Sequence, residues 1–338
     1  MAFKITNSLL FQIARLYGID DQLLKFEGGF DHLFYGYSLK KNEFLIRIKS
    51  DMIFDKKSLI QIEAEIDWIN YLTQNDISVS EPQLSGNNKH VEEIVIDSRS
   101  YIVVSFLKAP GTYINFRDPE EWNDALWEKM GEIVGKMHRV SVDFVPNKNY
   151  KRIEFEEDIF LEYNSILDQE EDKDIIEIYS QLINWISTLP KPKNAYGMVH
   201  GDLNWGNYYI HNKTKLTLFD FDSCCYNWFI YDIAILIWSL IWEKPKESAI
   251  KVLKEFIPSF YRGYSTHYAL DDEWIELMSD FLYFHDFFLY TAITETINAG
   301  NTTDDYPSML EIIRKRCESG VSKAYFTQEE WINLFIQS

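Results

Sequence analysis

Apolar positions along the chain change their period near residue 108: before it, short alternating aromatic and branched runs sit between helical stretches, and beyond it helical spacing dominates. The first nineteen residues, MAFKITNSLLFQIARLYGI, carry apolar residues at helical intervals. LKFEGGFDHLFYGYSL and EFLIRIK then read as strands of a hairpin turning at Lys40-Lys41-Asn42. From about Lys56 to Thr73, Leu59, Ile62, Ile66, Ile69 and Leu72 recur at threes and fours, which predicts an amphipathic helix. HVEEIVI and SYIVVSFL predict a second hairpin around Asp97-Ser98-Arg99. The break comes at Lys108-Ala109-Pro110-Gly111, where a Pro-Gly pair ends the strand and suits a linker between lobes.

Beyond the break, Asp118-Pro119-Glu120-Glu121 predicts a helix start, with a capping aspartate, proline at the first position and a glutamate at the third, and a helix to about His138. Further helical patterns fall near 158–188, 230–242, 247–264, 272–297 and 307–319. Thr327-Gln328-Glu329-Glu330 repeats the capping-box logic for a last helix. The only strand-like pieces expected here are Tyr208 to His211 and Leu216 to Phe219, a small hairpin. The acidic stretches EFEED and DQEEDKD read as solvated helix ends. Trp238, Trp242 and the Phe281 to Tyr290 aromatic cluster are expected in the core, and His138 and His285 are expected as satisfied helix residues rather than ligands.

At 338 residues, the chain is long enough for one large or two unequal domains, and 46% apolar residues supply a packed core. The formal charge of -20 repels phosphate backbones and anionic membranes, so no nucleic-acid or membrane partner is expected. Three cysteines, with Cys224 and Cys225 adjacent, fit neither a disulfide framework nor a metal-ligand spacing, which suggests a reducing compartment. The N-terminus lacks the pattern of a signal peptide, and the apolar run Phe229 to Trp242 carries Asp232 and is shorter than the ~20 residues a bilayer span needs. A soluble, cytoplasmic protein, monomeric or homodimeric, is the expectation.

Candidate chemistry concentrates in VHGDLNWGN, residues 199–207, and LFDFD, residues 218–222. A carboxylate and an amide oxygen suit magnesium, which takes one or two carboxylates together with substrate phosphates. Asp202 is then available to accept a proton from an attacking hydroxyl, or to orient it, as phosphoryl transfer requires.

HGDLNWGN is similar to the kinase catalytic-loop pattern H-R-D-L-x-x-x-N with glycine replacing arginine, and Asp220-Phe221-Asp222 stands where D-F-G would follow. Together they resemble the aminoglycoside phosphotransferase family, whose relatives include choline, homoserine and methylthioribose kinases. The resemblance implies an α+β, protein-kinase-like fold with two lobes: a small nucleotide-binding lobe over 1–107, an antiparallel sheet plus helix, and a larger, mainly helical catalytic and acceptor-binding lobe over 108–338, hinged near 105–111. It implies Asp202 as catalytic base and Asn207 and Asp220 as Mg2+ ligands, with His200 bracing the loop. Asp232, in YDIA, would accept backbone hydrogen bonds from the catalytic loop. Asp222 would face the acceptor or a second metal, unless it is an ordinary turn aspartate.

In the first lobe, the resemblance assigns donor phosphates to Arg47, where many members have lysine, paired with Glu65, or failing that Glu63, on the following helix. Gly28 and Gly29, before Phe30-Asp31-His32, would form the turn over the phosphates, although no G-x-G-x-x-G is present. Phe106 and Leu107 would border the base of ATP or GTP. The implied activity is transfer of the terminal phosphoryl to a hydroxyl of a small acceptor: an aminoglycoside, an amino alcohol, a homoserine-like molecule or a sugar, with the acidic charge favouring a cation. A nucleotide-binding pseudokinase is the alternative, drawn from Arg47 and the absent glycine signature. A protein kinase is disfavoured by the eleven residues between Asp220 and Asp232, too few for a long activation loop.

Overall fold

The computed structural model describes residues 5–29, 32–51, 56–158, 161–300 and 303–336. The chain divides into two compact units, one of Met1–Gly111 with Val145–Arg152 and Thr217–Asp222, the other of Thr112–Phe144, Ile153–Leu216 and Ser223–Ser338.

The first unit opens with helix α1 (Asn7–Tyr17), capped by Thr6 and ended by the left-handed Gly18. The run expected as one strand is two, β1 (Lys25–Gly28) and β2 (Leu33–Leu39), because the chain folds back on itself after the glycine pair. Strand β3 (Asn42–Asp51), helix α2 (Lys56–Gln74), the short β4 (Pro82–Gln83), β5 (Val91–Ile96) and β6 (Arg99–Leu107) complete it. The sheet is antiparallel in the order β1-β2-β3-β6, with β5 and then β4 following one another along the far edge of β6. Asp97 and Ser98 both have positive φ, as a two-residue hairpin turn of matching twist requires.

Strand alternation sorts the two faces. Ile46 and Ile48 of β3 are fully buried with Leu9 and Ile13 of α1, while Arg47 between them points to the opposite face and meets α2. The returning segment 217–222 is held by Leu218, whose N–H donates to Ser78 and whose carbonyl accepts from Ser80, and by a Ser78–Thr217 hydroxyl bond of 2.9 Å. Segment 145–152 is held by Asn147 N–H on the Asp67 carboxylate and Arg152 on the Gln61 carbonyl.

The second unit is mainly helical. Helix α3 spans Asp124–Ser141, so the start expected at Asp118 is a correction: Asp118 caps a turn by accepting from Glu120 N–H, and the helix begins at Asn123, whose amide oxygen accepts from Leu126 N–H. The pattern at 158–188 breaks into the single turn α4 (Tyr163–Ile166) and α5 (Lys173–Ile186). Four short strands follow: β7 (Tyr196–Val199), β8 (Tyr208–His211), β9 (Lys215–Leu218) and β10 (Cys225–Trp228). Strands β8 and β9 are the expected hairpin. The β7–β10 pair was not expected, since three of four residues in each strand are buried and show no alternation.

Helix α6 (Phe229–Ile241) is buried nearly all round, as its apolar sequence demands. Helices α7 (Lys246–Ser265) and α9 (Met278–Asn298) pack against it, α10 (Tyr306–Ser319) packs on α9, and α11 (Gln328–Ile336) packs on α7 and on the short α8 (Asp272–Ile275). The Thr327 box at α11 is reciprocal: Thr327 N–H donates to the Glu330 carboxylate and Glu330 N–H to the Thr327 hydroxyl. Asp172, expected as a solvated helix end, is instead buried, accepting from Tyr290 and Arg314. Among the described residues no helix is long and apolar enough to cross a membrane, and Cys224, Cys225 and Cys317 are buried.

Candidate active site

In the second unit, the loop after β7 is fixed from beneath. Asp232, on the first turn of α6 and wholly buried, accepts from the backbone N–H of His200 at 2.8 Å and of Gly201 at 2.9 Å. The imidazole of His138 lies 3.2 Å from the same carboxylate and 2.9 Å from the Tyr264 hydroxyl, so both its nitrogens are engaged. Glycine at 201 follows from geometry: its φ is +78°, and a Cβ there would stand 2.2 Å from the Ser223 carbonyl oxygen. The arginine of the kinase pattern would not fit this backbone.

Held this way, the loop presents Asp202 with both carboxylate oxygens oriented. Asn204 Nδ2 donates to Oδ1 at 2.8 Å, and Asn207 Nδ2 donates to Oδ2 at 2.9 Å and to the Asp202 carbonyl at 2.8 Å. Commitment of the Asn207 nitrogen leaves its amide oxygen as the atom of that side chain suited to a cation. Asn204 is itself braced by Gly206 N–H on its oxygen. His200 is fully buried, with Nδ1 facing the Asp202 N–H at 3.4 Å. The indole of Trp205 donates to the Leu236 carbonyl of α6, anchoring the far end of the loop.

The first unit buries a cation among carboxylates. Arg47 and Glu65 form a two-pronged pair at 2.9 and 2.8 Å with both side chains buried, while Glu63 takes no part in it. The guanidinium also stacks on Phe106, 5.3 Å from the ring centre. Burial opposes its charge, but Glu65, helped by Asp222 and Asp220, raises the Arg47 pKa beyond its ordinary value. Burial likewise opposes ionisation of Asp222, yet the His32 hydrogen bond and the Arg47, His32 and Arg152 charges outweigh it and hold that carboxyl below the usual range.

Asp220 has φ +67°, an uncommon conformation for a residue with a side chain and one that marks functional segments. Gly28 and Gly29 have φ +118° and +134°, and a Cβ on Gly29 would stand 1.9 Å from the His32 carbonyl oxygen, so the turn closes onto backbone. Phe30 and Asp31 of that turn lie outside the described residues. Leu107 commits its N–H to the Glu81 carbonyl and its own carbonyl to the Ser80 hydroxyl.

Three contributors were not singled out in the sequence as part of this machinery. Asn204 lies inside the motif and could have been found from its amide chemistry. His138 and Arg152 are 94 and 70 residues from the aspartates they serve, and no local pattern links them.

A model of the phosphotransferase enzyme family matches residues 23–274. Over 318 residues the chain is 27% identical to amicoumacin kinase of Bacillus subtilis (strain 168), covering 93% of this chain and 92% of that protein. A solved amicoumacin kinase in complex with AMP-PNP, Ca2+ and Ami superposes with a TM-score of 0.84 at 28% identity over 96% of each chain. The microcompartment-associated aminopropanol kinase, at 16% identity and TM-score 0.72 over 97% of this chain and 99% of that one, shares the fold. The chain therefore belongs to the phosphotransferase enzyme family, with the protein-kinase-like fold, and is an ATP-dependent phosphotransferase with an alcohol group as acceptor.

Proposed function

We propose that the enzyme is a small-molecule kinase that transfers the terminal phosphoryl of ATP, with Mg2+, to a hydroxyl of an acceptor carrying one or more amines, with amicoumacin the first candidate. The observation that carries the reading is the Asp202 carboxylate, held on both oxygens by side-chain amides in a loop clamped by Asp232. The end-to-end match with amicoumacin kinase supports the choice of first acceptor.

In this reading, Asp202 accepts the proton of the acceptor hydroxyl while that oxygen attacks the terminal phosphorus and the bond to the bridging oxygen breaks, releasing ADP. Asn207 and Asp220 would each offer the cation an oxygen. Among the described residues no three His, Cys, Asp or Glu side chains form a cage of their own, so the cation would complete its shell with phosphate oxygens and water, as magnesium commonly does. Arg47, fixed by Glu65, holds donor phosphate, and Gly28 and Gly29 bring backbone amides over it. Phe106 and Leu107 border the base through their side chains, because the main-chain N–H and C=O of Leu107 are already engaged. His200 and Asp232 keep the loop in place, and Asp222 holds the arginine side of the site.

The test is steady-state nucleotide consumption with ATP and GTP in parallel, with and without Mg2+, against amicoumacin, aminoglycosides, 1-amino-2-propanol, choline, homoserine and methylthioribose. The expected result is acceptor-dependent turnover that needs the cation and falls at least about a hundredfold in Asp202→Ala while nucleotide affinity stays. Turnover retained in that variant would remove Asp202 as base. Tight nucleotide binding without turnover on any acceptor would favour the pseudokinase reading.

A further inference from the structure

We infer that Glu27 is a specificity-determining residue for the phosphoryl donor, its carboxylate accepting a hydrogen bond from a ribose hydroxyl of ATP. The inference rests on the proposed reading that Arg47 holds donor phosphate and Phe106 borders the base.

Directly paired residues of neighbouring strands share a face of the sheet. Arg47 pairs with Phe34 on one side and Val104 on the other, which makes a phosphate row. Leu45 pairs with Gly36 and Phe106, and Gly36 with Lys25, which makes a base row next to it on the same face. On β1, Lys25 meets Gly36 and Gly28 meets Phe34, so three steps along β1 span two along β2, and the ladder shifts between Phe26 and Gly28. Glu27 is the extra residue. It falls between the two rows, where a donor stretched from Phe106 to Arg47 has its sugar.

Bulges re-aim side chains, and they recur beside active sites. Here the Glu27 carboxylate is laid over Gly36, in the space that a side chain there would need. Glycine inside a strand weakens it and marks a close approach, and Gly36 leaves the face open for this carboxylate. Lys108 Nζ holds Oε2 at 2.6 Å, while Oε1 takes no hydrogen bond among the described residues. The ion pair is partly exposed, and such pairs add little to stability, so folding alone gives little reason for the arrangement. The carboxylate opens on a cleft of about 280 Å3 that Lys25, Ser38 and Glu43 also line. An ionised carboxylate only accepts hydrogen bonds and repels phosphate, so the donor groups it can bind between base and phosphates are the ribose hydroxyls.

The experiment measures, by calorimetry, the affinity of wild type, Glu27→Ala and Glu27→Gln for the Mg2+ complexes of ATP, 2′-deoxy-ATP and 3′-deoxy-ATP. Wild type is expected to bind ATP about tenfold more tightly than at least one deoxy analogue. Glu27→Ala should bring that ratio within twofold of unity by weakening ATP alone, and Glu27→Gln, which keeps an acceptor oxygen, should retain part of the preference. Removing a negative charge acts on all three nucleotides alike, so the ratio isolates the hydroxyl contact. A preference retained in Glu27→Ala, or an equal change for all three nucleotides, would overturn the assignment. Wild type that turns over ATP but binds both deoxy analogues as tightly would leave the kinase reading standing and sink this inference alone. Wild-type protein that binds no nucleotide would sink both.

Discussion

Asp232 touches no reacting atom in the proposed chemistry, yet the Asp202 loop depends on it. Its carboxylate accepts two consecutive backbone N–H groups and faces the His138 imidazole, and it is wholly buried. Replacing it with asparagine keeps the volume and turns an NH2 group toward a donor, leaving a buried N–H without an acceptor. Asp232→Asn is expected to cost about 3 kcal/mol of stability, the upper end of the usual cost of leaving a buried donor without its acceptor. Denaturant unfolding measures it, and a loss under about 1 kcal/mol would show that the clamp is weaker than its geometry. The sequence made Asp232 legible because YDIA stands at a fixed distance after the loop motif. Asp202, Asn207 and Asp220 were singled out from the neighbouring motifs, and Arg47 with Glu65 from their strand and helix; of these, the structure shows the Arg47–Glu65 pair and the Asn207 bonds to Asp202. His138 was readable only as a helix residue without a ligand role, because its partner lies 94 residues away.

Helices α3 and α7 cross where neither has a side chain. A Cβ on Gly131 would stand 1.8 Å from the Phe260 carbonyl oxygen, and one on Gly263 would stand 1.9 Å from the Glu128 carbonyl oxygen. Alanine is favoured over glycine in a helix by about 1 kcal/mol. Here the obstacle is backbone of the partner helix, which cannot rotate aside, so the two helices would have to separate and the overpacking cost should win. Gly131→Ala is therefore expected to destabilise by about 2 kcal/mol net, with the neighbouring Glu132→Ala, which loses only a partly exposed pair with Lys129, close to neutral. Thermal melts of the two variants decide it: a stabilised Gly131→Ala would mean that the crossing relaxes. This explains which elements were legible. Long amphipathic helices and the Thr327 box announce themselves locally, whereas the true start of α3 depends on Asn123 reaching Leu126 N–H rather than on the Asp-Pro-Glu-Glu signal upstream. Strands β7 and β10, four residues each, carry no period to detect.

At the scale of the whole molecule, the net charge of -20 acts on donor and acceptor with opposite signs. In the proposed reading the ATP–magnesium complex is an anion and would approach against the field, helped by Arg47 and the backbone amides at the glycine turn. An amine-bearing acceptor is drawn in, and its attraction is screened once the Debye length falls from about 10 Å at 0.1 M salt to about 3 Å at 1 M. Raising salt from 0.05 to 0.5 M should then raise the acceptor KM several-fold while leaving the ATP KM flat or lower, a divergence that a general loss of folding or of cation binding would not produce. Measuring both KM values across a chloride series separates the cases. Parallel rises would mean that salt weakens the enzyme as a whole, and an acceptor KM indifferent to salt would assign a neutral or zwitterionic acceptor. The opposing slopes are the expected result, because acidic residues outnumber basic ones by 53 to 33, a field that reaches every cation approaching the surface, whichever hydroxyl is finally phosphorylated.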